Sequence, residues 1–117
     1  MEISESKSGA VTTVALKGRV DSASAGALRD RLSKLVESVP ALLVLDFRDV
    51  AYISSAGFRT LLIIAKQSAE VKGGLALCSV SSEVKRLFDI AAFTELFLIL
   101  PSREEAIAAL ARATGAT

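Results

Sequence analysis

The chain contains no histidine and a single cysteine in 117 residues. Without imidazole, neither a Ser-His-Asp nor a Cys-His arrangement can be assembled, and the commonest general base and metal ligand is missing. Cys78 has no partner for an intramolecular disulfide, and it lies in the apolar run Leu75-Ala76-Leu77-Cys78, where a buried, inert thiol is expected. No CxxC or HExxH pattern occurs. Gly73-Gly74 is not followed by the Lys-Ser/Thr of a phosphate-cradling loop, so it reads as a turn. The acidic residues are dispersed and no pair of carboxylates is singled out for acid–base work. Catalytic residues, metal ligands and a bound cofactor are therefore not expected, and the chain does not read as an enzyme.

Other absences narrow the partners. Basic residues are scattered, giving a formal net charge of only +1, without the clustered stripe that contact with a phosphate backbone requires; nucleic acid is not an expected partner. No apolar run approaches the roughly 20 residues that cross a bilayer, so membrane insertion is not expected. The start, Met1-Glu2-Ile3-Ser4-Glu5, lacks the basic and apolar regions of a secretory signal. A cytoplasmic location is the expectation, and the lone thiol suits a reducing compartment.

What is present suffices for a core. Hydrophobic residues make up 51% and charged residues 23% of the chain, with no compositional break, which implies one domain over residues 1–117. Val11 to Val20 is β-branched and reads as a strand. Ile3 marks a weaker strand over Met1 to Ser6, which a turn at Ser8-Gly9-Ala10 could fold back as an antiparallel edge hairpin. Asp21-Ser22-Ala23-Ser24 offers N-cap oxygens to a helix from about Ala23 to Glu37, with Leu28, Leu32, Leu35 and Val36 at helical spacing and Pro40 closing it.

Ala41 to Leu45 is apolar on both faces, as a covered central strand should be, and is expected to end at Asp46, with Phe47 to Ile53 as a short connection. Ser54-Ser55-Ala56-Gly57 then opens a second helix near Ser55, whose apolar side is Phe58, Leu61, Leu62 and Ala65, leaving Arg59 outside it. Leu75 to Cys78 forms another strand. Ser81 or Ser82 caps a helix bearing Val84, Leu87 and Phe88, and Leu96 to Ile99 makes the last strand before Pro101. Ser102 and Glu105 are placed as a capping box for a final helix with Ala106, Ile107 and Leu110 inward. Alternating strands and helices imply an α/β fold, a mostly parallel mixed sheet with helices packed against it. Leu43, Leu45, Leu62, Leu77 and Leu98 are expected in the core.

One segment stands out: Asp46-Phe47-Arg48-Asp49-Val50-Ala51-Tyr52-Ile53-Ser54-Ser55-Ala56-Gly57 places two hydroxyls, then a small residue and a glycine, at a strand-to-helix junction. A Ser-Ser pair before an apolar helix is commonly a cap and nothing more, and Ser55 is the residue expected to cap this one. Here, however, the segment resembles that of the STAS family, in particular bacterial anti-sigma-factor antagonists: a strand with Asp, an aromatic-apolar pair, then Asp/Ser-Ser-Ser/Ala-Gly. Leu16-Lys17-Gly18-Arg19-Val20-Asp21 is similar to a second family stretch, Gly-Arg/Glu-x-Asp. The resemblance covers nearly the whole chain.

It implies a STAS fold and a phosphorylation switch. In the family the modified serine lies two residues before the glycine, which is Ser55 here; Ser54 stands where Asp is frequent, and modification of Ser54 is the alternative. The implied partners are an anti-sigma factor that is also a Ser protein kinase using ATP and Mg²⁺, and a Ser phosphatase that resets the switch. The implied partner-binding surface comprises Asp21, Ser22, Ser54, Ser55, Ala56, Gly57 and Arg59. Asp46 and Asp49 are either ordinary strand-end and turn residues or part of the acidic surroundings of the switch. A constitutive STAS subunit of a transport or other signalling complex, and more remotely a small nucleotide-binding α/β enzyme, are the competing readings.

Overall fold

The structure is a computed structural model, and it describes residues 1–37 and 41–114. Five strands form one sheet in the order β1 (Glu2–Ser8), β2 (Val11–Val20), β3 (Leu42–Ile53), β4 (Gly74–Cys78) and β5 (Leu98–Leu100). The β1–β2 pair is antiparallel and the other three pairs are parallel, as the mostly parallel mixed sheet predicted from sequence requires. The hairpin at Ser8-Gly9-Ala10 is present, with Gly9 at φ +62°, a left-handed turn conformation that glycine adopts without steric cost.

Helices α1 (Ala25–Leu35), α2 (Ser55–Glu70) and α3 (Ser82–Ile90) join successive parallel strands, and α4 (Arg103–Thr114) follows β5. Strand order never reverses from β2 to β5, so right-handed crossovers place α1, α2 and α3 on the same face. The core divides accordingly. On that face Val14, Leu16, Leu45 and Phe47 of the sheet meet Leu28, Leu32, Phe58, Leu61 and Phe88 of the helices. On the opposite face Val11, Leu42, Val44, Ala76 and Cys78 meet Ala106 and Leu110 of α4. All five phenylalanines join one series of ring contacts: Phe88 lies 4.8 Å from Phe58, 5.8 Å from Phe97 and 6.2 Å from Phe47, and Phe93 lies 4.9 Å from Phe58. Tilted and edge-on contacts of this kind suit the ring quadrupole, and they tie α3 and α2 to the middle of β3.

Several sequence expectations need correction. β3 does not end at Asp46. It runs for 12 residues to Ile53, so Phe47 to Ile53 is strand, not connection. Exposed Arg48 and Asp49, beside a register irregularity against β2, interrupt the alternation that would have revealed it. Helix α1 begins at Ala25 instead of Ala23; the expected closure by Pro40 lies outside the described residues. The last strand is Leu98–Leu100, because Thr94–Leu96 forms a 3₁₀ turn. Leu43, Leu45 and Leu77 are fully buried as expected, but Leu98 is 45% exposed, lying on the free edge of the sheet, and Leu62 is half-buried. Ser81 is the cap of α3, accepting from the Val84 N–H at 3.2 Å, and Ser102 accepts from the Glu105 N–H at 3.1 Å.

Candidate functional site

The Ser-Ser junction sits where the carboxyl ends of the parallel strands β2 and β3 meet the start of α2. Val20 pairs with Ile53, and the backbone N–H of Ser54 donates to the Val20 carbonyl at 2.9 Å, so the junction is fastened to both strands. Ser54 is extended (φ −100°, ψ 175°) and its hydroxyl accepts from the Gly57 N–H at 3.3 Å. That is the N-cap geometry, which satisfies one of the donors a helix start leaves orphaned. Ser54 is therefore the cap, which corrects the expectation that Ser55 fills this place: Ser55 is already inside the helix as its first residue.

Ser55, the first residue of α2, is exposed, and its hydroxyl makes no hydrogen bond among the described residues. Two adjacent hydroxyls thus have different fates, one spent on the helix and one free. Gly57 enforces the arrangement. A Cβ at this position would come within 2.7 Å of the Val20 carbonyl oxygen and 2.8 Å of the Ile53 side chain, so only glycine lets the first turn of α2 lie this close to the strand ends. Gly57 is buried and offers no surface to a partner, and Ala56 is half-buried.

Beside the junction, the turn after β2 is organised by Asp21. Its carboxylate accepts from the N–H groups of Ala23 at 3.1 Å and Ser24 at 3.3 Å and faces Arg19 at 3.5 Å. Desolvation pushes the Asp21 carboxyl upward, but the two backbone donors, with Arg19 and the Ser24 hydroxyl, outweigh it and hold the group below its ordinary value. Ser24 does not cap α1 in the usual way: its hydroxyl donates back to the Arg19 carbonyl at 2.8 Å. Arg19 in turn stacks 4.4 Å from the centre of the Tyr52 ring, across the β2–β3 pair. Ser22 is exposed next to this cluster.

On its other side the junction opens into a groove of about 430 Å³ between α2 and α3. Tyr52, Ser54, Ser55 and Arg59 border it, and Phe58 and Leu62 of α2 face Leu87, Ile90, Ala91 and Phe93 across it. Arg59 is exposed, as its place beside the apolar face of α2 predicted. The groove wall from α3 escaped the sequence reading, because it depends on packing between segments some thirty residues apart; Ile90, 76% exposed at the end of an apolar helix face, was the available signal.

The structure gathers Ser54, Ser55 and Arg59 at the groove and keeps Asp21 and Ser22 at the adjoining turn. Asp46 lies elsewhere. Seven residues of extended chain, about 20 Å, separate it from Ile53, and it is buried on the α4 face of the sheet, where it pairs with Arg103 at 2.9 Å and accepts from the Arg48 N–H at 2.9 Å. It anchors α4 to the sheet and takes no part in the junction. Among the described residues no group of three or more metal-ligating side chains converges, and no helix is long and apolar enough to cross a membrane.

Comparison with known proteins agrees with this architecture. The STAS domain family model matches residues 3–106. The protein named "Putative anti-sigma factor antagonist BtrV" from Bordetella bronchiseptica is 38% identical over 109 residues, 93% of this chain and 94% of that one. Among solved structures, an anti-sigma-factor antagonist (STAS) domain protein from Planctomyces limnophilus superposes with a TM-score of 0.83 at 20% identity, covering 93% of this chain and 97% of the other. The Bacillus protein SpoIIAA, an anti-sigma factor antagonist, superposes in its unphosphorylated form with a TM-score of 0.77 at 19% identity over 97% of each chain. Its phosphorylated form gives 0.68 at 17% identity, over 92% of this chain and 97% of that one. At such identities the superpositions speak to the fold, while the family match and the Bordetella relative speak to descent. The chain belongs to the STAS domain family and groups there with proteins named as anti-sigma factor antagonists.

Proposed function

We propose that the chain works as a single STAS module that antagonises an anti-sigma factor in the cytoplasm and is switched by phosphorylation of Ser55. Unphosphorylated, it binds an anti-sigma factor that is also a Ser kinase, and the sigma factor or equivalent target is released. The kinase, supplying its own ATP and Mg²⁺, modifies Ser55 and ends the interaction; a Ser phosphatase restores it. The chain acts by binding and not by catalysis. The observation that carries this reading is the division of labour at the junction: Ser54 is committed to capping α2, whereas Ser55 is exposed and unbonded.

Physical chemistry supports the choice of Ser55 over Ser54. A kinase needs a reachable hydroxyl, and phosphorylating Ser54 would disrupt the cap. On Ser55 a phosphate meets the positive end of α2 and its orphaned N–H groups, so the fold tolerates it. The added charge of about −1.5 to −2 then acts outward, on whatever surface has docked over the groove. The name of the Bordetella relative supports the antagonist role. The test is to incubate the protein with its kinase and ATP, map the phosphate by mass spectrometry, and measure binding of both forms by calorimetry. Phosphate on Ser55 with a loss of binding of tenfold or more, about 1.4 kcal/mol, is the expected result. Undiminished binding by the phosphorylated protein refutes it.

A further inference from the structure

Arg59 stands four residues after Ser55, so their Cβ atoms are roughly 5–6 Å apart on one face of α2. Both border the groove between α2 and α3, and Arg59 is the one formally charged residue among those lining it. It makes no ion pair among the described residues. The other guanidinium near the junction is not free: Arg19 is held by Asp21 at 3.5 Å and by the Tyr52 ring at 4.4 Å. An exposed serine and an uncommitted arginine thus share one helical turn beside an apolar trough.

We propose that Arg59 is the receptor for a phosphate carried by Ser55, through an ion pair that spans one turn of α2 and draws the phosphoryl group over the mouth of the groove. The proposal rests on Ser55 being the modified residue and says how the modification acts. An anion four residues ahead of a cation is the favoured sense for such a helical pair. The planar guanidinium presents a preformed fork to two phosphate oxygens, whereas a lysine ammonium acts as a point charge. Phe58 and Leu62 lie between and beside the two residues on α2, so one flank of the pair is apolar and water competes less for it. Phosphorylation then does two things together. It places negative charge at the groove, and it takes the groove's cation away from any carboxylate that a partner would bring to it.

The test does not need a kinase. Phosphoserine is installed at position 55 during biosynthesis, and its phosphate is titrated by ³¹P NMR around the ordinary second pKa of about 6. The titration is repeated in the Arg59→Gln and Arg59→Lys backgrounds, with Arg29→Gln on α1 as a charge-matched control. The phosphate in the otherwise unaltered protein is expected to titrate roughly half a pH unit lower than in Arg59→Gln at low salt, with Arg59→Lys between them and Arg29→Gln unchanged. Amide spectra confirm that each variant is folded. Equal midpoints with and without Arg59 overturn the ion pair and leave Ser55 available as a kinase substrate. A kinase that ignores Ser55 overturns the proposed function and leaves the titration result standing.

Discussion

Replacing each junction serine by alanine separates the capping role of Ser54 from the switching role proposed for Ser55. In Ser54→Ala the Gly57 N–H loses its acceptor at 3.3 Å, and the first turn of α2 loses its cap. Loss of a serine cap costs about 0.5 to 2 kcal/mol, typically near 1. For a domain of 117 residues the unfolding entropy is roughly 0.25 kcal/mol per kelvin, so the thermal midpoint is expected to fall by about 4 °C. In Ser55→Ala no bond is lost and no buried surface changes, so the stability should stay within about 0.5 kcal/mol. Urea unfolding of both variants, followed by circular dichroism, supplies the comparison, and the m-value should be unchanged because neither substitution alters the area exposed on unfolding. Under the proposed switch, incubation with the kinase and ATP is expected to give the complementary pattern: phosphate on Ser54→Ala and none on Ser55→Ala. If Ser55→Ala is destabilised as much as Ser54→Ala, the assignment of the cap is wrong and the argument for a free Ser55 hydroxyl fails with it.

Gly57→Ala forces a methyl to within 2.7 Å of the Val20 carbonyl oxygen, so α2 must lift from the strand ends; a loss of about 1–3 kcal/mol in the urea midpoint is expected, together with shifted amide signals at Ser54 and Ser55. Arg103→Met leaves the Asp46 carboxylate buried without its cation. Because Arg103 is itself partly exposed, the expected cost is discounted to about 1–2 kcal/mol, read by thermal unfolding, and a stability equal to the unaltered protein would dismiss the anchoring role. Burial, reinforced by the charge of Asp46, pushes the Cys78 thiol up from an ordinary value of 9.0 to about 11. The unfolded chain therefore releases this proton first, the contribution is intact below about pH 9, and it is lost as pH rises toward 11. Cys78→Ala should flatten that part of the pH–stability curve, which parallel urea titrations at several pH values would detect.

The parts of this fold that were legible in the sequence are those where one residue's neighbours along the chain decide its environment. Leu43, Leu45 and Leu77 lie in short runs that are apolar on both sides, and they are buried on both sides. The two hydroxyls before Gly57 marked a helix start, and a helix starts there. Legibility failed where a distant residue supplies the reason. Asp46 read as the end of a strand because a carboxylate is costly in a sheet interior; the compensating charge, Arg103, is 57 residues away. Phe47 to Ile53 reads as a connection because the irregular register against β2, beside which Arg48 and Asp49 are exposed, is a property of two strands together. The cap reads from sequence as Ser55 and is Ser54 for a related reason, since which hydroxyl meets an orphan N–H depends on how close Gly57 lets the first turn of α2 lie to the strand ends.

The strand order has a consequence for how the chain assembles. Each strand from β2 to β5 pairs with the one just before it in sequence, so every step of sheet growth is local, and each step after the β1–β2 hairpin adds its own helix. The face carrying α1, α2 and α3 can be built progressively from the amino-terminal side. The opposite face cannot, because its single helix comes last, and until α4 arrives Val11, Leu42, Val44 and Ala76 have nothing to pack against. The Asp46–Arg103 pair thus fastens the last helix of the chain to the sheet: the elements that carry the Ser54-Ser55 junction precede it in sequence, while the apolar back of the sheet is exposed to wrong contacts whenever that helix is not in place.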